Sequence, residues 1–156
     1  MIFCDGFKLS YSALFVKRAY DILFACIGLI IAAPLFLVLS LLIKLESKGP
    51  IFYKQERVGK NEKPFFIYKF RSMLNDAERK TGPVMALSDD KRITRIGKVI
   101  RKTRLDELPQ LWNILKGDMS FVGPRPERPV FVEKFSRHIP FYGQRFALRP
   151  GSVSYT

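Results

Sequence analysis

The stretch that most constrains this chain is ILFACIGLIIAAPLFLVLSLLI, an apolar run from Ile22 to Ile43 that holds no charged residue. A hydrocarbon core of about 30 Å is crossed by about 20 helical residues at about 1.5 Å each, so the run is long enough for a bilayer. A buried helix of a soluble protein is shorter, or carries polar residues along one stripe. Pro34 falls near the middle of the run. It lacks a backbone donor and its ring crowds the carbonyl four residues back, so a kink or break is expected there. Division at that point leaves Ile22–Ala33 and Leu35–Ile43, and neither arm alone reaches across about 30 Å. Two topologies follow: a kinked single span, or a helix that enters, breaks and returns to the same face. Lys17 and Arg18 precede the run, and Lys44, Lys48, Lys54 and Arg57 follow it. Basic residues favour the cytoplasmic side, so positive charge at both ends favours return.

Outside the run, a chain of 156 residues supports one further domain of about a hundred residues. Lysine and arginine number 27 against 14 aspartates and glutamates, a net charge of +13. Such an excess calls for an anionic partner: nucleic acid, an acidic membrane surface or a phosphorylated ligand. No helix-turn-helix, zinc-finger or RNA-recognition pattern is present, so membrane and phosphate are expected and nucleic acid is not. Cys4 and Cys26 are the only cysteines, which excludes a disulfide framework or a cysteine metal cluster and suits a reducing compartment. His138 is the sole histidine, so chemistry needing two is excluded. The apolar run is too long for a cleaved signal peptide, and no A-x-A-like site follows it.

Ahead of the run, residues 1–21 mix apolar and basic side chains and read as an amphipathic lead-in on the membrane surface or as a loose terminus. Beyond it, Ser47-Lys48-Gly49-Pro50 turns the chain. Ile51–Arg57 and Phe65–Arg71 are rich in aromatic and β-branched residues, with Gly, Asn and Pro between them, which predicts a β-hairpin. Alternation puts Ile67, Lys69 and Arg71 on one face. Lys69 and Arg71 are then either a pair of cations above a phosphate or cations facing water. A short helix is expected over Met73–Lys80, ended by Thr81-Gly82-Pro83, and Ser88–Arg92 supplies caps for the next. There Ile93, Ile96, Val99 and Ile100 recur at helical spacing among Arg92, Arg95, Lys98, Arg101 and Lys102, a basic amphipathic helix suited to anionic headgroups.

In Arg104-Leu105-Asp106-Glu107-Leu108-Pro109-Gln110, Asp106 has the character of a helix N-cap, with Leu108, Leu111, Trp112 and Leu115 as the apolar stripe. Gly117 suits the helix end. A capping-only role for Asp106, with Glu107 favouring the helix dipole, is one reading of these two carboxylates. Pro124 and Pro126 bracket Arg125 and restrict its backbone, which holds a guanidinium ready for phosphate; a plain proline-rich connector is the other reading. Pro129 opens a last helix with Phe131 and Phe135 on one face.

Taken in order, these stretches resemble the bacterial sugar transferase family, the monotopic phosphoglycosyl transferases that act on polyprenyl phosphate. The matching residues are Lys17-Arg18-Ala19-Tyr20-Asp21, Gly49-Pro50-Ile51-Phe52, Arg57-Val58-Gly59 and Tyr68-Lys69-Phe70-Arg71-Ser72-Met73. Further along they are Arg92–Gly97, Leu105-Asp106-Glu107-Leu108-Pro109-Gln110, Gly117-Asp118-Met119-Ser120 and Gly123-Pro124-Arg125-Pro126. The chain departs from the family pattern at Ala33, where a serine usually precedes the proline. It departs again after Gly151, where Ser152-Val153-Ser154-Tyr155-Thr156 stands in place of a Thr-Gly-Trp-Ala-Gln type segment.

The resemblance implies transfer of a phosphosugar from a UDP-sugar to undecaprenyl phosphate, with release of UMP, use of Mg²⁺ and a phosphosugar attached to an aspartate. On this chain the aspartate is Asp106 and the metal ligand Glu107. Arg101 and Arg125 are phosphate or nucleotide contacts, and Lys69 and Arg71 also match the family's substrate-binding pattern. The fold implied is α+β and mostly helical: a re-entrant membrane helix broken at Pro34, a β-hairpin and amphipathic surface helices. Residues 1–21 form the lead-in, 22–46 the membrane helix and 47–156 a catalytic domain with a truncated or divergent C-terminal end. That domain is expected on the cytoplasmic face of the bacterial inner membrane. The competing class is a membrane-tethered basic module that binds anionic lipid or nucleic acid without catalysis.

Overall fold

A computed structural model describes residues 11–75 and 90–154. Residues 1–10 of the expected lead-in fall outside these residues, as do most of the Met73–Lys80 helix, the Thr81-Gly82-Pro83 turn and Ser88 and Asp89; the rest of the lead-in, Tyr11 to Asp21, is helical. Helix α1, Tyr11–Glu46, is 36 residues long. It runs through Pro34 as a single helix, so Ile22–Ala33 and Leu35–Ile43 are not separate elements. A proline removes one backbone donor from a helix, and the bonds of the neighbouring turns carry the helix past it.

One stripe of α1 is buried, through Asp21, Ala25, Ala32, Leu39 and Ile43. That spacing follows a single helix face from one end of the apolar run to the other. The opposite face is apolar and bare, with Ile30, Ile31 and Leu37 each more than 70% exposed. A helix apolar all round, with only one stripe covered by protein, is matched to lipid on its remaining surface.

The hairpin is present. Strands β1, Phe52–Val58, and β2, Pro64–Phe70, pair antiparallel with Phe52 opposite Phe70 and Val58 opposite Pro64. Two clusters fix this hairpin and the following helices to α1. Ala25 packs with Ile67, Ile114 and Met119, and Leu39 and Ile43 pack with Phe70 and Ile100. The basic helix α2 spans Arg95–Lys102, with Thr94 as its N-cap accepting from the Gly97 amide. The cap therefore sits nearer the apolar stripe than the Ser88–Arg92 turn, while Asp90 pairs with Arg92.

Helix α3 spans Gln110–Lys116, and Gly117 ends it in the left-handed conformation. Its Asn113, fully buried, accepts from the Tyr68 amide and donates to the Phe66 carbonyl, fastening α3 to β2. Beyond Gly117, strand β3, Ser120–Val122, pairs in parallel with β4, Gly151–Val153. A parallel pair needs a long crossover. Here it contains α4, Pro129–His138, and a 3₁₀ stretch over Tyr142–Ala147. The strands approach so closely that a Cβ on Gly151 would lie 2.1 Å from the Gly123 amide nitrogen. Both glycines are thus required by contact.

Candidate active site

The segment that carries the paired carboxylates is set by an unusual backbone turn. Arg104 adopts the left-handed conformation (φ 59°) and a 3₁₀ turn follows over Leu105–Glu107. Leu108 and Pro109 continue with right-handed helical angles into α3. Leu105 and Leu108 pack on the cluster that contains Leu39, Ile43 and Phe70, so the turn is anchored directly on the membrane helix. The capping role expected for Asp106 is not found. No side chain caps either the 3₁₀ turn or α3. A cap needs an extended residue just ahead of the helix, whereas Asp106 lies inside the turn and is itself buried.

Glu107 is surrounded by cations. Lys69 Nζ lies 2.7 Å from its Oε1, Arg125 Nη2 at 3.8 Å and Arg104 Nη1 at 3.9 Å. Burial pushes the Glu107 carboxyl up, but the charge and hydrogen bond of Lys69, with Arg125 and Arg104, outweigh it and hold the pKa below the usual value. Asp106 moves the other way. Burial raises its pKa, with the Glu107 charge adding, and the opposing charges of Lys69 and Arg101 do not cancel this. Neighbouring carboxyl groups driven apart in this manner are suited to different tasks. Arg101, in the last turn of α2, therefore acts on Asp106 by its field.

Lys69, Arg101 and Arg125 are thus gathered around Asp106 and Glu107, while Arg71 is not. Its side chain turns to the end of α1, donating to the carbonyls of Ser47 at 2.7 Å and Lys48 at 3.1 Å and to the Ser47 hydroxyl at 2.8 Å. The expected pair of cations above one phosphate is corrected accordingly. Arg71 lies beyond the last residue of β2 and is buried as a helix-end anchor, because the carbonyls left free there need donors. Gly49 makes room for it with φ of +129°, and a Cβ there would meet Arg71 Nη1 at 2.2 Å.

The Arg125 loop is held from both sides. Arg57 Nη1 donates to the Pro126 carbonyl at 3.0 Å and pairs with Glu127 at 3.7 Å, and Arg145 Nη2 donates to the Arg125 carbonyl at 2.5 Å. Burial lowers the Arg57 pKa against the opposing charge of Glu127. Arg57, Arg145 and Gln110 were not among the sequence-derived candidates. The first two act through distant carbonyls that no spacing reveals. Gln110 closes the Leu105-Asp106-Glu107-Leu108-Pro109-Gln110 motif, and that position beside the paired carboxylates is a signal the sequence does carry. Gln110 lines the same cleft as Lys69, Glu107 and Arg125.

Among the described residues no three His, Cys, Asp or Glu side chains form a metal cluster. Mg²⁺ is commonly bound by one or two carboxylates together with substrate phosphates rather than by an all-protein cage. Glu107, in a cleft lined by Lys69 and Arg125, and its neighbour Asp106 are compatible with that donor set.

The sequence profile described as bacterial sugar transferase matches residues 12–156. A Bacillus subtilis (strain 168) protein, provisionally named an undecaprenyl-phosphate N-acetylgalactosaminyl 1-phosphate transferase, is 62% identical over 130 residues, covering 83% of this chain and 72% of its own. The UDP-N-acetylgalactosamine-undecaprenyl-phosphate N-acetylgalactosaminephosphotransferase of Aeromonas hydrophila is 55% identical over 137 residues, 88% of this chain and 32% of its own. The UDP-glucose:undecaprenyl-phosphate glucose-1-phosphate transferase of Caulobacter vibrioides is 44% identical over 137 residues, 86% of this chain and 50% of its own. The match thus spans about a third of the Aeromonas protein and half of the Caulobacter one.

Proposed function

Because the chain belongs to the bacterial sugar transferase family, we propose that it transfers a sugar 1-phosphate from a UDP-sugar to undecaprenyl phosphate, initiating glycoconjugate or exopolysaccharide synthesis. The observation that carries this reading is the buried turn bearing Asp106 and Glu107 with their pKa values moved in opposite directions amid Lys69, Arg101 and Arg125. A carboxylate oxygen of Asp106 attacks the phosphorus that bears the sugar. The bond from that phosphorus to the bridging oxygen breaks, and UMP departs with the electron pair. A phosphate oxygen of the lipid acceptor then attacks the same phosphorus, and the Asp106 carboxylate leaves, giving undecaprenyl-diphosphate-sugar. Covalent catalysis of this kind splits one transfer between two bulky substrates into two simpler displacements.

Arg125 and Arg101 bind the diphosphate, and Lys69 both orients Glu107 and adds positive charge. Glu107, with the donor's phosphates, would hold Mg²⁺, which when bound neutralises charge developing on the leaving UMP.

The lipid acceptor explains the membrane helix. Contacts on both sides of the apolar run support a re-entrant course. Ahead of it, Arg18 donates to the carbonyls of Ile114 at 2.6 Å and Leu115 at 2.8 Å, and Asp21 accepts from the Ser120 hydroxyl at 2.8 Å. Behind it, Glu46 accepts from the Arg95 amide at 2.7 Å and the Ile96 amide at 3.0 Å. A domain bonded to both flanks is held on one side of the bilayer, so in this reading α1 bends at Pro34 to bring both ends to that side. Entry and exit on the same, cytoplasmic face satisfies those bonds, and the bare apolar face of α1 meets lipid.

The test is a UMP-release assay in lipid nanodiscs with undecaprenyl phosphate and Mg²⁺. UDP-N-acetylgalactosamine and UDP-glucose are the first donors, since the relatives are named for those sugars. Donor-dependent UMP, and a phosphosugar adduct on the peptide containing Asp106 when the acceptor is withheld, are expected. No UMP with any donor would favour a tethered binding module.

A further inference from the structure

We propose that Gln110 is a catalytic residue of this same reaction, donating a hydrogen bond from its side-chain amide to a non-bridging oxygen of the phosphoryl group that Asp106 attacks. Gln110 is only 3% exposed, yet its amide makes no hydrogen bond to any described residue. Buried amides are ordinarily paired, because an unpaired one forfeits its hydrogen bonds to water. The fully enclosed, unpartnered side-chain nitrogens among the described residues belong to Arg57 and Arg71. The Gln110 amide is therefore not sealed off: its small exposure opens into the cleft it lines with Lys69, Glu107 and Arg125.

Position then identifies the ligand. The cleft that Gln110 lines is bounded by Glu107, the chain neighbour of Asp106, and by Lys69 and Arg125. Asp106 and Gln110 are both buried. In the proposed reaction the group held among these cations carries the phosphorus that Asp106 attacks, and that phosphorus bears acceptor oxygens. Phosphoryl oxygens offer only acceptors, so the amide N–H group is the one engaged. A neutral donor stabilises the charge that builds on these oxygens without competing for Glu107, as Lys69 and Arg125 do.

This assignment rests on the proposed transfer, and the experiment separates the two. The 156-residue chain in nanodiscs is loaded with UDP-N-acetylgalactosamine in the absence of acceptor, and the rate of UMP formation and the adduct on Asp106 are measured. Gln110→Met keeps the volume and removes the amide. It should slow loading by about 10²-fold through the rate constant, with KM for the donor little changed. Its melting temperature should be equal or higher, since an unpaired amide has been replaced by an apolar group. Gln110→Glu keeps the shape, removes the donor and adds repulsion, and should load at least as slowly. Near wild-type loading by either variant overturns the assignment, as does a fall in melting temperature that accounts for the lost rate. A wild-type chain that never forms the adduct would instead overturn the transfer mechanism itself.

Discussion

Asp106 and Glu107 are adjacent, but the fold treats them in opposite ways, and stability should record it. The Asp106 pKa is raised above 3.8, mainly by burial. Its cost to folding is absent below the unfolded value and grows as pH rises through the folded one. At pH 7 that cost is fully present, so Asp106→Asn should raise the melting temperature while abolishing the adduct. Glu107 contributes stability above its unfolded pKa of 4.5 that is lost as pH falls through its lowered folded value. Glu107→Gln should therefore destabilise the protein at pH 7 by about 1–3 kcal/mol, with the difference from wild type shrinking in acid. Thermal melts of the three proteins at neutral and acidic pH check both signs, and two shifts in the same direction would contradict the structure. The same reasoning places the acid limb of kcat/KM for donor loading above pH 3.8, the ordinary aspartate value. Arg125→Lys keeps the charge and loses the planar fork. The expected result is a raised KM for UDP-sugar in an otherwise normally folded, membrane-bound protein, and an unchanged KM would remove Arg125 from the donor site.

At the scale of the element, the junction of α1, Gly49 and Arg71 is where motif and function part company. The sequence placed Arg71 beside Lys69 by strand alternation, and alternation holds only to the end of β2 at Phe70. One residue later the guanidinium is free to turn, and the carbonyls at the end of α1 capture it. Arg71→Lys should lower the melting temperature by an amount equivalent to about 2–4 kcal/mol. The protein that remains folded should retain its KM for UDP-sugar. A normal melting temperature with a raised KM would return Arg71 to substrate binding. The hairpin, the basic helix and the proline-led last helix were all legible from alternation, helical spacing and breakers. The parallel pairing of β3 with β4 was not, because each strand has three residues and its partner lies across a whole helix. Asn113 was equally hidden, since its two bonds to β2 join residues far apart in the chain.

For the molecule as a whole, the governing relation is between one long apolar helix and a basic domain that grips it at both ends. If both flanks lie on the cytoplasmic face, Cys4 lies there as well. With Cys26 replaced by alanine, a membrane-impermeant thiol reagent should leave Cys4 unlabelled in cells whose periplasm is accessible, and should label it once the cells are opened. Labelling before opening would mean that α1 spans the bilayer.

What the sequence determined alone were properties carried by local pattern: the length and apolarity of Ile22–Ile43, the hairpin, the surface helices and the presence of a paired carboxylate near basic residues. These depend on neighbours within a few positions, which periodicity and turn chemistry report. The tertiary structure alone decided that α1 continues through Pro34, that Asp106 is buried in a 3₁₀ turn instead of capping a helix, and that Lys69 meets Glu107 while Arg71 does not. It also brought the unpaired amide of Gln110 to the cleft. Each of these outcomes turns on which surfaces pack against α1 and on how much water that packing removes. Burial and long-range pairing are properties of the folded chain, and no local spacing encodes them.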